Sequence, residues 1–210
     1  MNAPIDVTNI QIETSRLLLR PWKISDLQDL YEYASVPGVG EMAGWNHHRS
    51  IEESEGILNM FIEEKKTLAI VHRESGKVIG SLGIELLGEL EELPPSFKGR
   101  EIGYVLSKPY WGQGLMPEAV QAVMDYCFTE LKYEFLTCAH FVHNKRSRRV
   151  IEKCGFQFLK DVKNETRYGT VEDSRLYICF NSRLGWDLPR RFAKWLDKKQ
   201  EVTNVSTEKN

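Results

Sequence analysis

Apolar and polar positions along this chain outline a sheet of short strands with helices set between them. Arg16-Leu-Leu-Leu-Arg-Pro is an aliphatic run that Pro21 stops, which predicts a first strand. Residues 1–13 before it carry no period and are expected as an irregular arm. Ser25-x-x-Gln28 and Ser50-x-x-Glu53 have the form of capping boxes and predict two helix starts, with a Val36-Pro-Gly-Val-Gly loop between. Thr67–His72 and Val78–Leu87 are aliphatic and separated by Glu74-Ser-Gly-Lys77, the signature of a hairpin. Gly88–Lys98 is acidic and contains proline, so a surface loop is expected there. Glu101–Ser107 reads as a strand. From Pro117 onward, Ala119, Val120, Val123, Met124, Cys127, Phe128 and Leu131 recur at three- and four-residue steps, the pattern of a helix with one buried face. Phe135–Phe141 predicts another strand and Lys145–Lys153 a short basic helix closed by Gly155. Gln157–Val162 and Leu176–Asn181 complete the strands. Leu188–Leu196 has amphipathic helical spacing, and the tail from Glu201 is polar and expected to be disordered. The order of elements predicts a mixed-sheet α/β or α+β domain.

Composition narrows the class. The 210 residues are 41% apolar and 28% charged with a mean hydropathy of −0.40, values of an ordinary globular chain. No apolar run approaches the roughly 18 residues that a membrane span requires. The first residues lack both a basic and an apolar region, so no signal peptide and a cytoplasmic location are expected. A formal charge of −2 argues against a nucleic-acid partner. Cys127, Cys138, Cys154 and Cys179 show neither a CxxC nor a Cys/His ligand spacing, so reduced, buried thiols and no metal are expected.

The chemistry concentrates in Glu101–Ala119, read as strand, glycine-bearing turn and helix with Pro117 in its first turn. Such a turn presents main-chain N–H groups at a helix N-terminus, where the macrodipole favours anions. Gly112 and Gly114 would let a phosphate approach the backbone closely. A phosphate-hydrolysing P-loop needs Lys-Ser/Thr after the last glycine, and Leu115-Met116 stands there. The third glycine of a dinucleotide fingerprint is missing as well. The turn suits a diphosphate that is held, not hydrolysed.

Three blocks together resemble the GNAT N-acetyltransferase superfamily, which uses acetyl-CoA. Thr14-Ser-Arg-Leu-Leu-Leu-Arg-Pro-Trp resembles the first strand of its Rim-type branch, which acetylates the N-termini of ribosomal proteins. Glu101–Ala119 resembles the acyl-CoA motif, and Asn144-x-x-Ser147 with Glu152-Lys-x-Gly155-Phe156 the helix that follows it. Gly169, Asp173 and Tyr177 extend the match. The resemblance implies a domain at residues 14–186, between the arm at 1–13 and a C-terminal helix and tail at 187–210. It implies a mostly antiparallel sheet of six to seven strands, splayed at its central strand and flanked by helices.

What the resemblance implies for the site is specific. Main-chain N–H groups of Gly112, Gln113, Gly114, Leu115 and Met116 would hold the diphosphate. Trp111 and Met116 replace residues usual in the family, Gln/Arg and Gly/Ala. Val105 and Leu106, with Ser107 beside them, would pair with the pantetheine amides. Asn144 would hydrogen-bond the pantetheine arm or cap its helix. Lys145, Arg146, Arg148 and Arg149 would meet the ribose phosphate or face solvent. Glu101 is the first choice of general base, acting through a water, and Glu165 the second. The Val105 N–H is the expected oxyanion donor. Many relatives place an acidic tyrosine where Ile151 stands, so Ser147 is expected to meet the departing sulfur. Tyr104 and Trp45 line the acceptor side or pack in the core. No cysteine has an activating partner next to it in sequence, so direct attack is expected, not an acetyl-cysteine.

Three activities fit these residues: acetylation of a protein N-terminal α-amine, acetylation of a small polyamine or aminoglycoside-like amine, and acyl-CoA sensing without turnover. At pH 7 an α-amine of pKa about 7.8 is neutral in roughly one molecule in seven, a lysine amine in about one in 2,500. The acidic stretch Glu85–Glu92 would favour a cationic acceptor. Residues 187–200 are expected either to form a homodimer contact or to pack on their own domain.

Overall fold

The computed structural model describes residues 2–88, 90, 97–185 and 187–196. The chain divides into two compact units, residues 1–179 and 180–210. Most of the expected acidic loop and the polar tail lie outside the described residues.

The first unit is built on one sheet. Its strands are β1 (Ile12–Glu13), β2 (Leu17–Pro21), β3 (Thr67–His72), β4 (Val78–Glu85), β5 (Gly99–Leu106), β6 (Phe135–Phe141), β7 (Gln157–Glu165) and β8 (Val171–Phe180). They lie in the order β1-β2-β3-β4-β5-β6-β8-β7. Neighbours from β1 to β5 are antiparallel, β5 and β6 are parallel, and β7 and β8 form an antiparallel hairpin. The sheet has eight strands, not six to seven, because the arm contributes the two-residue β1. Four helices accompany these strands: α1 (Leu27–Ala34), α2 (Ile51–Glu64), α3 (Leu115–Thr129) and α4 (Lys145–Lys153).

Period-two alternation in the strands sorts the core into two layers. Leu68 and Ile70 of β3 face α3 and α4, with Leu17, Leu19, Ile102, Val120, Val123 and Ile151. Ala69 and Val71 face the other side, against Leu30 and Tyr33 of α1 and Leu58 of α2. The arm is ordered against the first of these layers. It buries Ala3, Val7 and Ile10, and its carbonyls accept from Arg100 Nε (at Ala3, 2.5 Å) and Tyr133 Oη (at Pro4, 2.6 Å).

Helix starts follow the capping signals unevenly. Ser50 caps α2 as its sequence predicts: its side chain accepts from the Glu53 N–H, and Glu53 in turn accepts from the Arg49 N–H at 2.8 Å. Ser25 caps nothing. It lies inside a 3-10 turn, Ile24–Asp26, where the Asp26 carboxylate accepts from Lys23 N and binds Arg20 through both oxygens. Helix α3 starts at Leu115, two residues before Pro117.

The feature that positions the site is a split in the sheet. β5 and β6 pair only from Gly99–Glu101 to Phe135–Thr137. Beyond Glu101 the two strands carry no register, and the sheet opens between them.

In the second unit residues 187–196 are helical. Phe192 packs edge-on against Phe180 at 5.4 Å between ring centres, and against Trp195 at 5.9 Å.

Candidate active site

β5 leads through a 3-10 turn, Lys108–Tyr110, into the start of α3. Gly112 and Gly114 have φ of +79° and +77°, the left-handed region that side chains rarely enter. Gly114 is the N-cap of α3 and brings no side chain to the helix end. Among the described residues, the N–H groups of Gly112, Gln113, Gly114, Leu115 and Met116 meet no protein acceptor. Five donors concentrated in one turn at the positive end of a helix suit an anion with several oxygens. Trp111 braces this turn: its Nε1 donates to the Leu106 carbonyl at 2.6 Å. The Arg146 guanidinium lies over the Trp111 ring at 4.7 Å, so α4 brings a positive charge to a turn that has no lysine of its own.

A second device secures the turn. Glu118, in the first turn of α3, accepts from Thr14 Oγ1 (2.6 Å), Ser15 Oγ (3.1 Å), Arg16 N (3.0 Å) and Arg16 Nε (2.7 Å), and it pairs with Arg16 Nη2 at 2.6 Å. Arg16 Nη1 donates to the Gln113 carbonyl at 2.9 Å. The block Thr14–Arg16 is therefore a latch on the turn as well as the lead into β2. Burial raises the Glu118 carboxyl, but the hydrogen bonds from Thr14, Arg16 and Ser15 outweigh it and hold the group at about 2, below its ordinary 4.5. A group depressed on folding stabilises fully above its unfolded pKa and loses that contribution as pH falls toward the folded value. The stability gap between wild type and Glu118→Gln should therefore be widest near pH 6 and shrink between pH 4.5 and 2, as read by urea midpoints at pH 6 and pH 3.

The turn opens into a cavity of about 640 Å³ at the split between β5 and β6. Its walls differ. Ile102, Tyr104 and Leu106 of β5 face α3 and α4. Val105 faces the α1–α2 layer, and alternation puts Glu101 and Gly103 on that side too. Here Met42 and Gly44 of the α1–α2 loop complete the lining, with Glu165 at the end of β7. That loop is tied down: the Met42 carbonyl accepts from Asn144 Nδ2 at 3.2 Å and the Gly44 carbonyl from Arg167 N at 2.7 Å.

Strand register decides which main-chain groups face the cavity. β4 and β5 pair Ser81 with Val105 and Gly83 with Gly103 without a bulge, and the Ser107 N–H continues that ladder onto the Ile79 carbonyl at 2.8 Å. Alternation then turns the Val105 N–H toward Ser81. Tyr104 and Leu106 turn theirs toward the split. The sequence expectation set Val105, Leu106 and Ser107 at the cofactor; the register instead directs the N–H groups of Val105 and Ser107 onto β4.

Glu101, Val105, Leu106, Trp111, Gly112, Gly114, Leu115, Met116, Asn144, Ser147 and Glu165 all line the one cavity. Ser107 and Gln113 do not, and the Gln113 side chain donates to the Pro109 carbonyl at 2.8 Å. Glu101 is half-buried at the point where β5 leaves β6, with Thr137 Oγ1 at 3.4 Å, whereas Glu165 is exposed. Asn144 is the N-cap of α4, accepting from the Ser147 N–H at 3.1 Å. Arg146, Arg149 and Lys153 reach the cavity. Lys145 and Arg148 do not, and Arg148 pairs with Glu152 at 2.7 Å. Trp45 packs against His48, away from the lining. Burial, and then the charge of Glu101, keeps the Cys138 thiol far above its ordinary range. The ring of His140 bonds the Phe141 carbonyl at 2.8 Å and turns its other nitrogen to Tyr177, so His140 does not activate Cys138.

Sequence reasoning did not find the Glu118 latch, or Tyr104 as a polar partner of Ser147, whose Oγ lies 2.9 Å from the Tyr104 hydroxyl. The signal for the latch was present: a carboxylate in the first turn of a helix and an Arg in a block that reads as strand. Their meeting across 102 residues of chain was not.

Residues 16–157 match the family described as Acetyltransferase (GNAT) domain. The uncharacterized N-acetyltransferase YoaA of Bacillus subtilis is 27% identical over 179 residues, 82% of this chain and 97% of that protein. Among solved structures, the fold is similar to an acetyltransferase (GNAT family) from Bacillus anthracis, with TM-score 0.71 and 23% identity over 82% of this chain and 99% of the other. It is also similar to the ribosomal-protein-S5-alanine acetyltransferase from Vibrio fischeri, with TM-score 0.66 and 22% identity over 82% and 97%.

Proposed function

The chain belongs to the GNAT acetyltransferase family, and from that premise we propose that it moves acetyl from acetyl-CoA to the free α-amine of a peptide or protein N-terminus, by direct attack. Acetyl-CoA brings an activated acyl group whose leaving atom is sulfur. The five unpaired N–H groups between Gly112 and Met116 fit its diphosphate, and Arg146 and Arg149 are close enough to add charge. Tyr104 and Leu106 offer main-chain groups to the pantetheine arm at the open edge of β5. The Leu106 carbonyl is engaged by Trp111, which leaves the N–H groups of Tyr104 and Leu106 to bind the arm and to stabilise the oxyanion. Glu101 takes the proton of the attacking amine through a water, and Ser147 hydrogen-bonds the departing sulfur.

The observation that carries the choice of acceptor is the wall opposite the turn. There Glu101 stands beside Gly103 and across from Glu85, whose side chain lies over Gly83 and is tied to Lys66 at 2.9 Å. An ammonium-bearing end that enters the cavity meets Glu101 there, and one half-buried carboxylate is enough help for an α-amine. The Vibrio fischeri neighbour, by its name, acts on a ribosomal protein, which agrees with this choice. A second reading, a small polyamine, is favoured by one observation: Glu165 places a second carboxylate in the same cavity.

Thiol release from acetyl-CoA over a panel of N-terminal peptides and polyamines tests both. We expect the best peptide to exceed the best polyamine at least tenfold in kcat/KM at pH 7. The reverse order would install the polyamine reading. Acetyl-CoA binding with no amine acetylated would overturn both.

A further inference from the structure

Ser147 is a rotor that needs fixing. A serine hydroxyl in a helix can turn its proton onto a carbonyl one turn back, and a proton held there is lost to any ligand. Next to it, the Tyr104 hydroxyl lies 2.9 Å from Ser147 Oγ and 3.2 Å from the Ser147 carbonyl. That carbonyl sits within α4, where the helix ladder supplies its donor. The phenol can donate to that carbonyl, and at the shorter contact either hydroxyl can donate; a carbonyl already served by the helix favours the phenolic proton going to Ser147 Oγ. The Ser147 backbone is held as well, because its N–H donates to the Asn144 cap.

We propose that Tyr104 is a positioning residue for sulfur departure: its hydroxyl donates to Ser147 Oγ and so turns the Ser147 proton into the cavity, toward the sulfur. The inference rests on the reading of Ser147 given above. Both side chains line the cavity on the wall that carries the Gly112–Met116 turn. Tyr104 keeps its own proton. Burial, and then the neighbouring Cys138 thiol, pushes its phenol well above the ordinary range. The step balances without ionising it. The amine nitrogen bonds to the acyl carbon, the carbon–sulfur bond breaks, and sulfur leaves with the bonding pair. The amine proton goes to Glu101 by way of water. Ser147 stabilises the thiolate by a hydrogen bond, and both hydroxyl protons end where they began.

Tyr104→Phe removes only the hydroxyl, and Ser147→Ala reads the same coupling from the other partner. The informative measurement is the thiol pKa of bound coenzyme A, followed by the ultraviolet absorbance of its thiolate. Each single variant should raise that pKa by about one unit, a tenfold loss of thiolate set by one hydrogen bond to a charged group. The double variant should raise it no further. The kcat of Tyr104→Phe should fall about tenfold with the acceptor KM unchanged. A shift in Ser147→Ala with none in Tyr104→Phe would overturn the role of Tyr104 and leave Ser147 in place. No shift in either would remove Ser147 from the sulfur, and the proposal with it. Additive shifts would mean that Tyr104 acts on sulfur directly, not through the serine.

Discussion

Gly114→Val should weaken acetyl-CoA binding by about 100-fold and leave acetyl-pantetheine, which has no diphosphate, bound as before. The reason is backbone geometry, since an added Cβ would find ordinary space: its nearest neighbour is Arg16 Nη2 at 3.6 Å. At φ +77° a β-branched residue is strained by about 1–3 kcal/mol. Relief comes from rotating the peptide groups on either side, which turns two of the five N–H donors away from the ligand. A hydrogen bond to a charged group contributes about 1.5–3 kcal/mol. Losing two costs about 3 kcal/mol or more, and 1.4 kcal/mol is a factor of ten. Gly114→Ala should fall between, because Cβ alone is tolerated there with less strain. Calorimetric titration with both ligands, beside a thermal melt, separates the outcomes. Unchanged acetyl-CoA affinity in a folded Gly114→Val protein would mean that the diphosphate lies elsewhere.

That turn was legible from sequence because its chemistry is local. Two glycines, a helix start and the absence of Lys-Ser/Thr lie within a few residues, and the fold had only to realise them. Asn144 and Ser147 are local in the same sense, being one helical turn apart. Which main-chain groups of β5 face the split was not legible, for an equally physical reason. Whether Val105 or its neighbours face the split depends on the β4–β5 register, and a shift of one residue exchanges the two sets. No pattern within β5 fixes that register; the bond from Ser107 N to the Ile79 carbonyl reveals it. The Glu118 latch and the Tyr104–Ser147 contact need two distant segments to meet. The β7–β8 hairpin runs from Gln157 to Phe180, longer than its apolar positions suggest, because most of β7 is exposed and leaves little alternation to read.

Glu101→Gln should lower kcat about 100-fold at pH 7, with a defect that shrinks as pH rises. A general base contributes about 10²–10⁴-fold, and the lower end applies where the nucleophile is partly neutral already. For an α-amine of pKa about 7.8, raising the pH to 9 makes most of the substrate neutral without the enzyme's help. The gap between wild type and Glu101→Gln should then close to less than tenfold. A polyamine or lysine acceptor, with a pKa of about 10.4, would keep the gap wide across the same range. The pH profile of the variant thus reports on the acceptor as well as on the base. Glu165→Gln should behave differently, because Glu165 is exposed while Glu101 stands half-buried at the strand split. Its kcat should stay within about threefold of wild type, and its effect should fall on the KM of a cationic acceptor. Turnover that collapses in Glu165→Gln and survives in Glu101→Gln would move the base to the end of β7. The amine would then meet its base beside Met42 and Gly44 of the α1–α2 loop, which line the cavity with Glu165.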